Sequence, residues 1–575
     1  MKALSREAIF GGILKRRFLV RNLFLGSILK QPVGEDVLKR RSILTATLVA
    51  TLTAAISLAV VGTAAAQTPK RGGTLVFIVG GLPPSFDGHA EVTFTMMHPV
   101  APSYSLLIKP DPTDPERTGM TPDIAESWQK SPDGLTYTFK IRRGVRFHDG
   151  EALTAKDIVA TFEKLRDPPE GTRSRRRKFF AMIDTVSAPD DYTVVFRLGY
   201  PTAAFLPVLA IPFNFIYSAS KLAKDMNWYR KNVVGTGPFK FVSYATGSSW
   251  VGKRNEDYFK PGLPYLDGYE AIFSRKLIVR VQAIRSRRAF IEFRGFPPKD
   301  RDNLIKALGD EIVVQESPWN CTLRVWPNSF KKPFDDIRVR QALNLAIDRW
   351  AGSKFLSQIA IMKTVGHAVF PGHPLSLTDA ELEAQIPGYS RDINASRAKA
   401  RQLLEDAGVP EGFKFTLHNR AVDQPYKILG TWLINQWKQI GLDVTQAPVP
   451  TSPWLAGLRK NPPEFDIAIG ANCQTVVNPT LDVSTFLSGD RSPSNYGHYT
   501  DRVLDDLYDR QLREPDQAKQ KDLLTQYQQR LTDQGRVIFT MWWHRIIPHN
   551  RRVKGWNITP SHYMNQDLTE VWLDQ

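Results

Sequence analysis

At Cys321 the spacing of apolar residues along this chain changes period, and that change limits the folds open to it. Before Cys321 the apolar residues alternate in twos between turn residues. The run from Gly72 to Gly81 reads as a buried strand bounded by glycines, and Leu135 to Ile141 as a strand between the turns Pro132-Asp133-Gly134 and Arg143-Gly144. Asp190 to Leu198 is a further strand, and Val233 to Phe273 a β-rich meander in which Gly235 and Gly237 are read as tight turns. One short helix interrupts this half: Thr154 stands three residues before Asp157 in a capping-box pattern, and Ile158, Val159, Phe162 and Leu165 form its apolar stripe. After the strand at Cys321, Val339, Ala342, Leu343 and Ala346 mark a helical face. A helix at Ser396 to Ala407 closed by Gly408, a strand at Phe413 to Leu417, a helix at Tyr426 to Ile440 closed by Gly441 and a strand at Leu442 to Thr445 follow. Leu504 to Leu531 reads as two helices, and from Arg536 the chain returns to strands. The class is α/β, with a β-rich first half, an alternating second half and a tail expected to fold back onto the first lobe.

Size and charge narrow the function. With 575 residues, 42% hydrophobic and 23% charged, the chain is neither a disordered tail nor a polytopic membrane protein. A net charge of +18 admits nucleic acid, an anionic membrane or an anionic ligand as partners. Ser42 to Gly62 is uncharged, preceded by Lys39, Arg40 and Arg41 and followed by Ala64-Ala65-Ala66. This is the pattern of an export signal cut after Ala66, making residues 1–66 a presequence and the mature protein periplasmic. A retained anchor is the competing reading, since about 20 apolar residues span a bilayer. Arg40 to Leu44 resembles a twin-arginine signal, which leaves the export route open. The 36 residues ahead of Val37 are more than such a signal needs, so a start at Val37 is expected. The presequence carries +7 of the +18, leaving +11.

Chemistry-bearing motifs are scarce. There is no GxSxG elbow, Walker loop or dinucleotide fingerprint, and the ten histidines lack metal-ligand spacing, so no catalytic residue, cofactor or metal is expected. A periplasmic hydrolase is the minor alternative. The basic runs Arg173 to Lys178 and Arg285 to Arg288 lack the aromatic interleaving of a single-strand binder, and an exported chain seldom meets nucleic acid.

Five ordered motifs carry a resemblance: GGTL at Gly72, SPDGLTYTFKIRRGVRFHDGEALTAKDI from Ser131, VGTGPFKF from Val234, PFDDIRVRQALNLAIDR from Pro333 and NYGHYTDRVLDDLYDR from Asn495. Together they resemble the family 5 extracellular solute-binding proteins, the dipeptide, oligopeptide and nickel class serving ABC importers. The resemblance implies a two-lobed, periplasmic-binding-protein-like clamp (class II, cluster C type) with a third domain inserted in the first lobe. By analogy lobe I would comprise 67–95, 205–320 and 538–575, the insert 96–204, and lobe II 321–537. It further implies a monomer that captures a peptide-like or other small solute between its lobes and delivers it to permease subunits at the inner membrane. A sensor docking to a membrane receptor would use the same closure.

The resemblance also supplies site candidates. Cys321 and Cys473 match, without gaps, the positions bridged in some oligopeptide-binding members, so a Cys321–Cys473 disulfide is expected. Where those members place an Asp to pair with a peptide's α-ammonium, this chain has Thr475, which offers a hydroxyl and no charge. A neutral ligand, an anionic one, or a peptide held by another acid all stay open. Arg420, at the end of a predicted strand, is the candidate anchor for an anion, its competing role a solvated surface arginine. Trp326, Trp542 and Trp543 are candidates for stacking on a ligand, against core packing as the alternative. Phe86 and His89 leave the first strand at what the family uses as the cleft edge, and Asn472 and Gln474 flank Cys473 as amide donors.

Overall fold

The computed structural model describes residues 68–112, 114, 119–473, 475, 477–492 and 494–574. The expectations for cleavage after Ala66 and a start at Val37 lie outside them. The first lobe is built on a four-stranded sheet ordered Thr74–Val79, Gly268–Phe273, Ser249–Arg254, Phe239–Ala245, with its first pair parallel and the rest antiparallel. Leu75, Phe77 and Val79 alternate along the first strand and are fully buried, as a period-two run with one packed face requires. Gly235 and Gly237 correct the turn reading. Neither has a positive φ; a Cβ on Gly235 would run into the Ser103 backbone and the Tyr104 ring, and one on Gly237 into the backbone of Pro102, Ser103 and Tyr104, so the glycines serve a close approach of two chain segments.

A second four-stranded sheet, antiparallel throughout, runs Ala125–Lys130, Thr136–Ile141, Thr193–Leu198, Ile183–Asp190. The helix Ala155–Arg166 packs on it. Its capping box is the one read from Thr154 and Asp157: the Asp157 carboxylate accepts the Thr154 N–H at 2.8 Å. Phe139, Phe162 and Phe196 pack edge to face beneath it. This core is continuous with that of the first sheet and takes in Trp556 and Leu568 from the C-terminal tail.

The second lobe is organised by a six-stranded sheet: Met362–Thr364, Ile538–Trp543, Cys321–Pro327, Ile467–Cys473, Lys414–Arg420, Asp443–Val449. Every residue of the strand Cys321–Pro327 is buried, because it lies inside the sheet. The helical face read at Val339 to Ala346 is one of two helices, Ile337–Leu345 and Arg349–Ile359, the second capped by Asp348 through the Ala351 N–H at 3.0 Å. The helix read from Tyr426 begins at Ile428. Pro425, lacking an N–H, sits in the wide turn Asp423–Lys427 that leads into it. Arg502–Arg513 and Gln517–Gln534 are the two expected helices.

The tail departs from the division at 538. Ile538–Trp543 pairs with Cys321–Pro327 and Met362–Thr364, so it is part of the second-lobe sheet. Only from Ile546 does the chain return, pairing with Ile312–Glu316. The chain thus crosses twice between lobes, at 317–320 and at 544–545, and the crossings are bonded side by side: Ser317 N–H to the Arg545 carbonyl at 3.0 Å, Asn320 N–H to that of Trp543 at 2.8 Å. The expected two-lobed α/β clamp is the architecture found, and a pair of adjacent crossings is the arrangement about which two lobes rotate. No helix among the described residues is long and apolar enough to cross a membrane.

Candidate functional site

Two arginines, one from each lobe, stand around a shared group of aromatic rings. Arg420 ends the strand Lys414–Arg420; its guanidinium lies 5.0 Å from the Tyr426 ring and 5.9 Å from that of Trp454, and donates to the Tyr426 hydroxyl at 3.2 Å. The Tyr426 ring meets Trp543 edge to face with centroids 6.4 Å apart. The guanidinium of Arg294 lies 5.6 Å from the Trp543 ring and 4.9 Å from that of Phe94. Cations over aromatic faces are attracted by the ring quadrupole.

Arg294 is held by its backbone. Glu292, fully buried, accepts the N–H groups of Arg294 at 3.3 Å and Gly295 at 3.1 Å. Gly295 has φ 106° and faces the Ile546 backbone where no side chain fits, and Arg545 donates to the Phe293 carbonyl. Burial raises the Glu292 pKa and lowers that of Arg294, the latter also through Arg280 and Arg420.

A second polar group lies where residues 178–204 meet 481–512. Lys178 donates to the Ser492 hydroxyl at 3.3 Å and flanks a cavity of about 240 Å³ lined also by Met182, Tyr200, Leu481 and Tyr508. Burial, with Arg324 nearby, holds the Lys178 ammonium down at about 8, and burial pushes Asp482 well above the carboxylate range. Among the described residues no group of three or more His, Cys, Asp or Glu side chains is placed to hold a metal ion.

The candidates named from sequence are dispersed. Cys321 and Cys473 face each other in register and form the disulfide. Asn472 lies beside them with its amide 3.5 Å from Asp482, and Thr475 follows, half-buried; Gln474 lies outside the described residues. Trp542 is turned into the core, its indole N–H on the His367 carbonyl at 3.0 Å, while its neighbour Trp543, also buried, has its ring against Arg294. Trp326 is 3% exposed and packs over Gly470 and against Tyr496. Phe86 packs edge-on to Trp250 and Tyr244. His89 is fully buried, bonded to the Phe215 carbonyl at 2.9 Å beside the Asp87–Lys164 ion pair. Arg294, Phe94, Tyr426 and Trp454 were not singled out by sequence; the trace available was a charged pair, Glu292 and Arg294, inside the otherwise apolar run from Ala289 to Phe296.

Residues 119–494, more than half the chain, match the family described as bacterial extracellular solute-binding proteins, family 5. Di/tripeptide-binding protein 1 of Pseudomonas aeruginosa is 29% identical over 519 residues, covering 84% of this chain and 92% of that protein. The glutathione-binding protein GsiB of Pectobacterium atrosepticum is 28% identical over 462 residues, covering 78% and 85%. Among solved structures, the ABC transporter-associated periplasmic binding protein DppA of Helicobacter pylori, in complex with the peptide STSA, superposes with a TM-score of 0.73 at 25% identity, covering 88% of this chain and 99% of that one. The chain belongs to family 5 of the bacterial extracellular solute-binding proteins, the solute-capturing components of ABC importers.

Proposed function

We propose that the protein works as an extracytoplasmic monomer that captures a peptide or peptide-like solute between its lobes and passes the closed complex to an ABC permease. The observation that carries this reading is the pair of arginines and aromatic rings contributed by both lobes to one site, within a family of clamp proteins. Such a site is complete only when the lobes close, so a ligand touching both sides selects the closed state. Relatives named for binding di- and tripeptides or glutathione support the solute class. Cleavage after Ala66 and a lobe I, insert and lobe II division near residues 96, 205 and 321 are part of the same reading.

A thermal-shift screen of the protein beginning at Gln67 against dipeptides, tripeptides, glutathione, opines, sugars and metal chelates tests it. A ligand at a hundredfold its Kd stabilises by about 2.7 kcal/mol and raises the melting temperature accordingly. A folded, ligand-free sample that responds to no peptide or peptide-like solute would count against the proposal.

A further inference from the structure

We propose that the helix Leu277–Arg285 and the basic turn after it form a docking face for an anionic phospholipid surface, so that the protein rests on a membrane through its first lobe. The face lies outside the cleft, and the proposal does not depend on which solute is captured.

The helix leaves the strand Gly268–Phe273, and the chain rejoins the first-lobe sheet at Ile291, opposite Phe77. Its inward side is ordinary: Val281 and Ile284 pack with Ile78, Phe296 and Leu304. Its outward side is not. Ile278 and Val279 are 61% and 44% exposed, and Ile278 is the most exposed large apolar side chain among the described residues. One aliphatic residue in solvent needs no explanation, but two adjacent ones make this helix apolar on both sides of its first turn, where a surface helix carries a single apolar stripe. Gln282 and Arg285 continue the exposed side one and two turns further on.

The rim of this face is cationic. Arg275 and Lys276 precede the two aliphatic residues, and Arg285 and Arg288 follow them; all four are exposed, and none is in an ion pair among the described residues. Arg287, between the last two, is already neutralised by Glu311, to which it donates at 2.6 and 2.7 Å. Aliphatic side chains set among unpaired cations are the composition that enters a bilayer at headgroup depth while the basic side chains reach the phosphates. An acidic protein would answer the charge alone. Lipid also takes up Ile278 and Val279 without needing a pocket shaped to them.

The face is fixed to the first-lobe wall of the candidate site. Arg280, on the buried side of the helix, donates to the Ser274 and Arg275 carbonyls at 3.4 and 3.0 Å, and a Cβ on Gly80 would touch both its guanidinium and the Phe94 ring at 3.5 Å. The second lobe contributes nothing to it, and so stays free to rotate while the first is docked.

Flotation tests this with the protein beginning at Gln67, which lacks the apolar run Ser42 to Gly62, and with vesicles of phosphatidylcholine alone or of equal parts phosphatidylcholine and phosphatidylglycerol. The protein should float with the anionic vesicles only, and should be released as salt rises from about 0.1 M to about 1 M, where the screening length falls from about 10 to about 3 Å. Arg285→Gln with Arg288→Gln should lower the partition about tenfold or more, and Ile278→Ser with Val279→Ser several-fold. Lys130→Gln with Lys399→Gln removes the same charge from two other parts of the surface and should change the partition by no more than about twofold. All six positions are exposed, so each variant should melt as the parent protein does. Failure to float with anionic vesicles, or equal flotation with neutral ones, overturns the proposal. Equal weakening by the two charge-removing pairs also overturns it, since binding would then follow net charge and not this face. So does flotation that either variant of the face leaves unaltered.

Discussion

Buried histidines set the acid limit of this fold residue by residue, His89, His98 and His367 among them. His89, His98 and His367 are buried, each with its Nε2 on an oxygen: the Phe215 carbonyl at 2.9 Å, the His562 carbonyl at 2.9 Å and the Thr532 hydroxyl at 2.8 Å. Each Nδ1 is buried without a partner, which suits a bare lone pair and not a second N–H. Burial accordingly lowers all three pKa values to about 3, against the usual 6.5. Between these values the unfolded chain binds protons that the folded one refuses. Stability is therefore complete above about pH 6.5 and falls as the pH drops toward 3, by up to about 1.4 kcal/mol per pH unit for each histidine. Denaturant unfolding followed from neutral pH to about pH 4 should show that decline, with proton uptake on unfolding near pH 5. A flat profile across the window would contradict the neutral assignment.

At the scale of elements, the disulfide ties the strand that enters the second lobe to its sheet neighbour. Cys321 opens one strand and Cys473 closes the antiparallel strand beside it, across a sequence separation of 152 residues. Closing so long a loop stabilises the fold by about 5 kcal/mol in the chain-entropy model. The double variant Cys321→Ser, Cys473→Ser should lose most of this in equilibrium unfolding; an unfolding free energy within error of the oxidised protein would defeat the account. That bridge was legible because both cysteines fall in motifs matching the family. Regular elements were legible too, where the apolar period was long: the strand around Phe77, the helix capped by Thr154, the paired helices ending at Gln534. What periodicity does not carry is which face of a strand meets the cleft. It could mark Trp542 and Trp543 as opposite-facing, but the packing of Gly366 and His367 against Trp542 is what leaves Trp543 to Arg294. Arg420 could be named because it ends a strand. Arg294 lies in no regular element; its place is fixed by Glu292, by Ile546 and by Arg545, the last two about 250 positions away in sequence. The same non-local dependence moved Ile538–Trp543 from the first lobe to the second.

For the molecule as a whole, the contact at Lys178 couples closure to pH. Lys178 belongs to the first-lobe side and reaches Ser492 in the second, where it lies among Arg324, Asp482 and the Phe179 ring, with Arg491 and Asp509 lining the adjoining cavity. In this contact burial lowers the ammonium pKa from 10.5 to about 8. Opening the clamp separates the two segments and returns Lys178 to water, where its pKa rises again. The closed form therefore binds fewer protons than the open form between about pH 8 and 10.5, and raising the pH through that window favours closure. Asp482, whose pKa burial raises, has the opposite sign and favours opening as the pH rises, so it does not supply the rise. Because ligand binding draws on closure, affinity should increase from about pH 7.5 to about 9.5, by at most tenfold per unit for one proton released. Lys178→Met keeps the stem and removes the titrating group, and should bind with a nearly level profile over the same range. Equal rises in both proteins would place the titrating group elsewhere, and a level wild-type profile would mean that closing the lobes does not dehydrate Lys178.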